Sequence, residues 1–387
     1  MATMRALFLI SDLGIGGSER KSVRIANALR KAGHDIHLAY FNAPHTLRGS
    51  LAPALPVLYL DRTGKFSLSA LRRLKHYLVE QGISCVVCVN LYPLLYAHAA
   101  AWQIGKHAPR LSAFINTTDF HTPREKRQMI LYAPLLRRTN HLVFGCRFQQ
   151  DQWVDRYRLP AANSRVIYNG VDATHFNTAA IGETRSQLRL RYGLPLNDFV
   201  VISVAGFRPE KQQVHLVQAV AALVMRGVPI RALLVGEGAQ RASIERCIAD
   251  CGVRDRVRLL GTLDDVRPLL KLADAFVITS TAVETFSNAA LEAMAMGLPV
   301  ILSRIGGAAE MVEPGLNGFL YAPGDVAQLT GHIAALAADE GLARRMGRAA
   351  MSQVQGRFGF SRMLEEYRDL LCPAGNDSTR DFEYELR

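Results

Sequence analysis

Short apolar runs alternate with amphipathic stretches along the first half of the chain. The pattern predicts strands at 6–10, 36–40, 85–89, 112–115 and 141–144, and helices at 18–32 and 68–81. Strands that alternate with helices across short loops are typical of a parallel sheet covered by helices.

The alternation weakens between Asp172 and Pro195 and then starts again. The second half predicts strands at 199–204, 231–235, 257–260, 275–279 and 300–303, and helices at 212–225, 239–250, 266–273 and 288–296. We therefore expect two doubly wound α/β domains, 1–178 and 179–355. A helix over 356–372 is expected to pack back toward the first domain, and the polar segment 373–387 is expected to be a disordered tail.

Composition fits a globular protein, with 49% hydrophobic and 21% charged residues. No apolar run reaches the length of a membrane-spanning helix, and the run at 6–10 has only the length of a strand, so we expect a cytoplasmic protein without a signal peptide. The net charge of +12 lies almost wholly in the first half, because residues 1–180 contain 23 Lys and Arg against 10 Asp and Glu. Nucleic acid, anionic lipid headgroups and phosphorylated substrates all fit such a charge.

The six cysteines indicate a structural role and a reducing compartment. Cys85 and Cys88 form a C-x-x-C pair, but they lie within an apolar strand. A zinc or redox site would need an exposed turn there.

Segment 280–300 combines a strand end, a polar loop and a helix start. Ser287 and Asn288 are both good N-caps. Ligands of doubly wound sheets bind at the carboxyl ends of strands, and a helix N-terminus offers N–H groups to a phosphate. Glu284 and Glu292 could accept hydrogen bonds from sugar hydroxyls, although either one alone is better explained as a solvated loop residue or half of a helix ion pair.

Two other loops carry candidate chemistry. Arg208 and Lys211 follow the strand at 199–204, where cations would stabilise a diphosphate leaving group. Taken in isolation, the sequence R-P-E-K at 208–211 is more often the capped start of a helix. Gly16 and Gly17 lie between the first strand and the first helix, where glycines let the backbone approach a phosphate. The dinucleotide pattern G-x-G-x-x-G is absent, since Glu19 replaces its last glycine.

Glu284 and Glu292 stand in an E-x7-E arrangement followed by A-M-A-x-G-x-P-V, which resembles the donor site of the family 4 glycosyltransferases of GT-B fold. The resemblance implies that Glu284 contacts the transferred sugar and Glu292 the ribose of the nucleotide. It also implies that backbone amides around Phe286, Ser287 and Asn288 hold the sugar and phosphate.

The segment with Lys211 is similar to the G-R pair and P-E-K of the same family. Lys211 matches, whereas the family's arginine position falls on Gly206 and Arg208 lies two residues later. The resemblance implies that Lys211 stabilises the departing diphosphate. Either Arg208 substitutes for the missing arginine or that contact is lost.

Smaller matches extend the resemblance over about residues 5–372. Gly16 and Gly17 are similar to the family's G-G-x-E loop, which reaches the donor diphosphate, and segment 169–172 is similar to its N-G-V-D. Glu237 and Leu263 stand in loops that resemble those flanking the nucleobase.

The first domain offers fewer signals. The family often places a histidine near the reacting sugar, and His121 or Asp119 fills that place here, although a loop histidine is otherwise mostly solvated. No D-x-D occurs in the sequence, so we expect a metal-free reaction with no cofactor beyond the nucleotide-sugar substrate. Basic amphipathic segments at 68–78 and 124–138 fit either an anionic membrane surface or a solvated face.

The resemblance implies two Rossmann-like domains facing an interdomain cleft, and a retaining, metal-independent hexosyltransferase using a UDP- or GDP-linked sugar. The expected acceptor is a saccharide or polyprenyl-linked saccharide of surface polysaccharide biosynthesis, at the cytoplasmic face of the membrane. A GT-B nucleotide-sugar epimerase or hydrolase is an alternative, and so is a degenerate enzyme without activity. A nucleic-acid-binding protein is a further alternative, but no nucleic-acid motif is present and aromatics do not alternate with the basic clusters.

Overall fold

The computed structural model describes residues 4–64, 66–118 and 123–371 and divides the chain into two compact units. Unit 1 contains the chain up to Ile167 together with the residues from Met363 on, and unit 2 is Tyr168–Arg362. The boundary in the chain thus lies at 167/168, eleven residues before the expected end of the first domain at 178.

Within the described residues, the named strands pair in parallel. The strands are β1 Arg5–Asp12, β2 Asp35–Asn42, β3 Val57–Tyr59, β4 Cys85–Val89, β5 Arg110–Ile115, β6 His141–Phe144, β7 Ser164–Val166, β8 Phe199–Val204, β9 Ile230–Val235, β10 Val257–Leu259, β11 Ala275–Ile278, β12 Val300–Ser303 and β13 Gly318–Tyr321. Unit 1 has a seven-stranded sheet in the order β3-β2-β1-β4-β5-β6-β7, and unit 2 has a six-stranded sheet in the order β10-β9-β8-β11-β12-β13. The prediction of two doubly wound, Rossmann-like parallel-sheet domains is confirmed.

Helices connect the strands. They are α1 Gly17–Lys31, α2 Leu68–Glu80, α3 Leu91–Ile104, α4 Pro123–Arg137, α5 Arg147–Tyr157, α6 Arg185–Arg191, α7 Val214–Met225, α8 Arg241–Asp250, α9 Arg267–Leu272, α10 Asn288–Ala295, α11 Ala308–Met311, α12 Val326–Ala338, α13 Glu340–Arg357 and α14 Phe360–Leu371. In both sheets the strand order reverses once, at β1/β4 and at β8/β11, and these switch points are where ligands of such sheets bind.

The core of unit 1 surrounds β4, whose five residues are all buried. Cys85 and Cys88 are buried free thiols on this strand. Burial raises the pKa of the Cys88 thiol well above its ordinary value, which disfavours the reactive thiolate. The C-x-x-C pair is therefore part of the core.

Helix α14 belongs to unit 1 by its contacts. The ring of Tyr367, 1% exposed, packs on Phe114 of β5 with centroids 4.8 Å apart. Arg110 donates to the carbonyl of Leu371 at 3.2 Å. The C-terminal helix thus covers residues of a strand that lies more than 240 positions earlier in the chain.

Candidate active site

The candidate site of unit 2 lies at its switch point. Lys211 follows β8 and Glu284 follows β11, and these strands are neighbours in the sheet. Lys211 Nζ lies 2.5 Å from Glu284 Oε2, and the two side chains are only 11% and 18% exposed. Ser280 Oγ donates to the same carboxylate oxygen at 3.2 Å. Two residues separated by 73 positions thus form one partly desolvated ion pair.

Hydrogen bonds to the backbone join the loops that carry this pair. Thr279 Oγ1 donates to the Lys211 carbonyl at 2.7 Å, and the Thr281 N–H donates to the Glu210 carbonyl at 2.9 Å. The loop after β8 and the loop after β11 are therefore fixed to each other.

Arg208 occupies a different position from Lys211. Its side chain is 63% exposed, and its Nε lies 2.9 Å from Glu210 Oε1. The structure brings Lys211 and Glu284 together and places Arg208 on the surface beside them, so its role as a substitute arginine stays a prediction.

The residues expected to hold a phosphate lie at the start of α10. Ser287 is the N-cap, and its Oγ accepts from the Ala290 N–H at 3.2 Å. Phe286 is buried, while Asn288 and Glu292 are half-buried. The first N–H groups of a helix have no partner within the helix, and the dipole favours an anion there. This end of α10 is thus suited to the sugar and phosphate groups.

The loop after β12 contributes a contact that the sequence pattern did not predict. Gly306 has φ +53°, and a Cβ there would overlap the carbonyl oxygen of Glu284. The Gly307 N–H donates to the Thr285 carbonyl at 2.8 Å. Only glycine fits so close to the backbone of Glu284.

The predicted nucleobase loops follow β9 and β10. Gly236, at φ +147°, donates its N–H to the Gly261 carbonyl at 2.8 Å, and a Cβ on it would overlap the Ala205 carbonyl. Glu237 is exposed and paired with Arg241, and Leu263 is half-buried. The carbonyl of Glu237 accepts from the Phe207 N–H at 2.8 Å, so the β9 loop packs on the loop that carries Arg208.

Unit 1 has its own polar cluster at the carboxyl ends of its strands. Gly16 is the N-cap of α1 and Gly17 its first residue. Asp12, at the end of β1, accepts from the Gly14 N–H at 2.8 Å. The turn before α1 is therefore fixed by the residue that ends β1.

Lys21 belongs to the same cluster, although no motif in the sequence pointed to it. Its Nζ donates to Asn116 Oδ1 at 2.7 Å, and the Asn116 N–H donates to Asn90 Oδ1 at 3.3 Å. Burial lowers the pKa of Lys21 to about 8, and the Glu19 carboxylate opposes this shift. His121 and Asp119, the other candidates of this unit, lie outside the described residues.

Basic and apolar side chains share the exposed surface of α4. Ile130 is 82% and Leu131 55% exposed, and Lys126, Arg127 and Arg137 are exposed on the same helix. Within the described residues, no helix is long and apolar enough to span a bilayer. Across residues 4–64, 66–118 and 123–371, no three His, Cys, Asp or Glu side chains are grouped so that they could hold a metal ion.

Two family models match the chain, one in each half. Residues 15–175 match the model described as glycosyltransferase family 4, and residues 184–353 match the model described as glycosyl transferases group 1. Both ranges agree with the resemblance carried by the sequence motifs.

Curated relatives match part of the chain. The N-acetyl-α-D-glucosaminyl L-malate synthase of Bacillus anthracis is 31% identical over 211 residues, 54% of each protein. The lipopolysaccharide core biosynthesis glycosyltransferase LpsE of Rhizobium meliloti is 31% identical over 51% of this chain and 56% of its own length. The chain thus spans little more than half the length of these relatives.

Solved structures match nearly the whole chain. The Anabaena protein HepE in complex with UDP superposes with a TM-score of 0.84 at 24% identity, covering 95% of this chain and 99% of that one. The same protein has been crystallised with UDP-glucose. This likeness shows the fold.

Proposed function

We propose, since this chain belongs to the group 1 and family 4 glycosyltransferases, that it transfers a hexose from a UDP- or GDP-linked donor to a saccharide or lipid-linked saccharide. The reaction retains the configuration of the sugar and uses no metal ion. Its product belongs to a surface polysaccharide, such as an exopolysaccharide, a lipopolysaccharide or a capsule, and is made on the cytoplasmic side of the membrane.

The ion pair of Lys211 and Glu284 is the observation that carries this proposal. A sugar diphosphate gains negative charge as the glycosidic bond breaks, and a partly buried ammonium stabilises that charge more strongly than an exposed one. When the Lys211 ammonium group binds the diphosphate instead of Glu284, the Glu284 carboxylate becomes available to accept hydrogen bonds from the sugar hydroxyls. The N-terminus of α10 adds N–H groups to the same anion.

The relatives favour this donor and acceptor class. HepE binds UDP and UDP-glucose in its crystals, and LpsE is named for lipopolysaccharide core biosynthesis. Applied to this chain, these names supply the compounds to test first.

A thermal-shift screen with UDP, GDP and their common sugars identifies the donor, and transfer to saccharide acceptors is then measured. We expect Lys211→Ala to slow transfer by about 100- to 1000-fold, the usual effect of losing one stabilising group of the transition state. Glu284→Ala is expected to raise the donor KM as well. Lys271→Ala and Glu245→Ala are matched controls, because these side chains pair elsewhere in unit 2. Full transfer by the Lys211 and Glu284 variants would refute the proposal.

Nucleotide release separates transfer from epimerisation or hydrolysis. A transferase releases nucleotide faster when acceptor is added, whereas release that ignores the acceptor favours the alternative enzymes. Excess EDTA is expected to leave the rate unchanged, and a rate restored by Mg²⁺ or Mn²⁺ after EDTA would contradict metal independence.

The exposed face of α4 supports an anionic membrane as a partner. Ile130 and Leu131 would enter the headgroup region while neighbouring cations bind anionic lipids. At low salt, the wild-type protein is expected to float with phosphatidylglycerol vesicles. The double variant Ile130→Ser, Leu131→Ser is expected to stay in the soluble fraction. Leu190→Ser is the matched control, since Leu190 is similarly exposed in unit 2. The contact is ruled out if the wild type, the double variant and the control float equally, or if the wild type does not float.

A further inference from the structure

A buried amide side chain holds the peptide group between Phe286 and Ser287. Asn169 Nδ2 donates to the Phe286 carbonyl oxygen at 2.8 Å, and Asn169 is 9% exposed. In a planar trans peptide, the carbonyl and the following N–H point in opposite directions. The Ser287 N–H is therefore aimed away from Asn169.

The backbone that follows Asn169 is held by hydrogen bonds to the chain after α13. The Val171 N–H donates to the Phe358 carbonyl, and the Phe360 N–H donates to the Val171 carbonyl, both at 2.9 Å. Gly170 lies beside them, where a Cβ would come within 2.7 Å of the Gly359 carbonyl oxygen. The backbone next to Asn169 thus pairs with the chain after α13, and this pairing requires glycine at 170.

Aromatic rings reinforce the same contact. The Phe286 ring packs on Tyr168 and Phe358, with centroids 5.1 and 5.2 Å away. Tyr168 donates its hydroxyl to Glu310 Oε2 at 2.8 Å, and the Arg357 guanidinium lies 5.2 Å from the centre of its ring. Both the side chain and the carbonyl of Phe286 are therefore held by segments distant in sequence.

We propose that Asn169 is a positioning residue of the donor site, acting through the Phe286–Ser287 peptide to set the direction of the N–H groups that bind the sugar diphosphate. This inference rests on the proposed function. Each residue of the N-G-V stretch at 169–171 then has its own role. The asparagine holds the carbonyl, the glycine permits the close approach, and the valine pairs its backbone with 358–360.

Hydrogen exchange in the ligand-free protein tests the contact without any substrate. Asn169→Leu keeps the size of the side chain but removes the donor. The amides of Ala290 and Leu291, which donate to the Oγ and the carbonyl of Ser287, are therefore expected to lose about five- to tenfold of their protection. Gln149→Met is the matched control, because the buried Gln149 amide also donates to two backbone carbonyls, in unit 1. Unchanged exchange at 290 and 291 in Asn169→Leu, or an equal loss of protection throughout unit 2, would overturn the proposal.

Binding of UDP and GDP over a pH series tests the positioning role. We expect Asn169→Leu to bind the preferred nucleotide about five- to tenfold more weakly at every pH. In Asn169→Asp, the ionised carboxylate cannot donate a hydrogen bond to the Phe286 carbonyl oxygen, whereas the protonated acid can. Burial favours the protonated form. Binding by Asn169→Asp should therefore approach wild type as the pH falls, while Asn169→Leu stays weak. An identical pH dependence in the two variants contradicts positioning through this hydrogen bond.

The two tests separate the inference from the proposed function. If the wild-type protein binds neither UDP nor GDP, the proposed function fails, whereas exchange at 290 and 291 still decides whether Asn169 orders the start of α10. If nucleotide binds and exchange is unaffected in Asn169→Leu, the inference alone fails.

Discussion

At the scale of single residues, the ion pair of Lys211 and Glu284 combines stability with chemistry. With exposures of 11% and 18%, the pair lies between a surface salt bridge and a buried one. Removing one partner leaves the other charge without its main neutralising group, and that loss outweighs the contact itself.

A double-mutant cycle measures this coupling. Lys211→Met and Glu284→Gln are each expected to lower the free energy of unfolding of unit 2 by about 1–3 kcal/mol. The double variant should lose less than the two single losses together, because no lone charge remains. Trp102 and Trp153 both lie in unit 1, so unfolding of unit 2 is followed by circular dichroism or hydrogen exchange. Strictly additive losses would show that the two side chains act independently.

Lys21 gives a second residue-scale prediction, on pH. Its pKa is about 8 in the folded protein against 10.5 ordinarily, so between these values the unfolded state binds more protons. Stability from this group therefore rises with pH in that window and is lost as the pH falls through 8. Relative to that of Lys21→Met, the free energy of unfolding of the wild type should increase by about 2 kcal/mol between roughly pH 7.5 and 9.5. Urea unfolding followed by tryptophan fluorescence reports on unit 1; a constant difference would contradict the lowered pKa.

Individual residues were predictable only where the local pattern carried them. Ser287 was found because a strand, a polar loop and a helix start follow one another within the segment. The contacts of Gly306 with Glu284 and of Asn169 with Phe286 were missed, since the partners lie 22 and 117 positions away. Nothing within a few residues of either one indicates those partners.

At the scale of elements, the turn before α11 sets the position of the Glu284 backbone. Gly306 and Gly315 both have positive φ, but only a Cβ at 306 meets another atom. Gly315→Ala is expected to cost about 1–2 kcal/mol, because alanine disfavours a left-handed conformation. Gly306→Ala should cost more and also weaken UDP or GDP binding, because Glu284 must move. Equal losses and equal nucleotide affinity in both variants would show that the close approach does not matter.

Element prediction depended on whether the apolar pattern was periodic. The strands at 85–89, 141–144, 199–204 and 300–303 were predicted with their observed bounds, because each is a short apolar run. Helix α3 was missed, since it is apolar on most sides and seven of its fourteen residues are buried. The strands β3 and β7 were also missed, because neither has a buried apolar run: β3 is half-buried throughout, and only Ser164 of β7 is buried.

At the scale of the whole molecule, the two units differ in how the chain builds them. Unit 2 is one continuous segment, 168–362, whereas unit 1 needs α14 from the far end of the sequence. Tyr367, Leu370 and Leu371 of α14 are all buried, and each contributes about 1.5–3 kcal/mol of burial.

Fragments test this difference. Residues 168–362 expressed alone are expected to fold cooperatively, because the sheet and its core lie within them. Residues 1–167 alone should be about 5 kcal/mol less stable than unit 1 in the full chain. Adding a synthetic peptide of residues 360–371 should restore part of that stability. Unfolding of the 1–167 fragment in urea is followed by tryptophan fluorescence. A 1–167 fragment as stable as the full chain would show that α14 contributes little.

The sequence by itself determined the fold class, the two sheets, the family and the short segments that carry Lys211, Glu284 and Ser287. These follow from periodicity and local motifs, which are properties of neighbouring residues. Only the tertiary structure decided that Lys211 pairs with Glu284, that Arg208 lies on the surface, and that Asn169 holds the Phe286 carbonyl. The ion pair depends on β8 and β11 being neighbours in the sheet, and the Asn169 contact joins segments 117 positions apart, so neither can be read from a local sequence pattern.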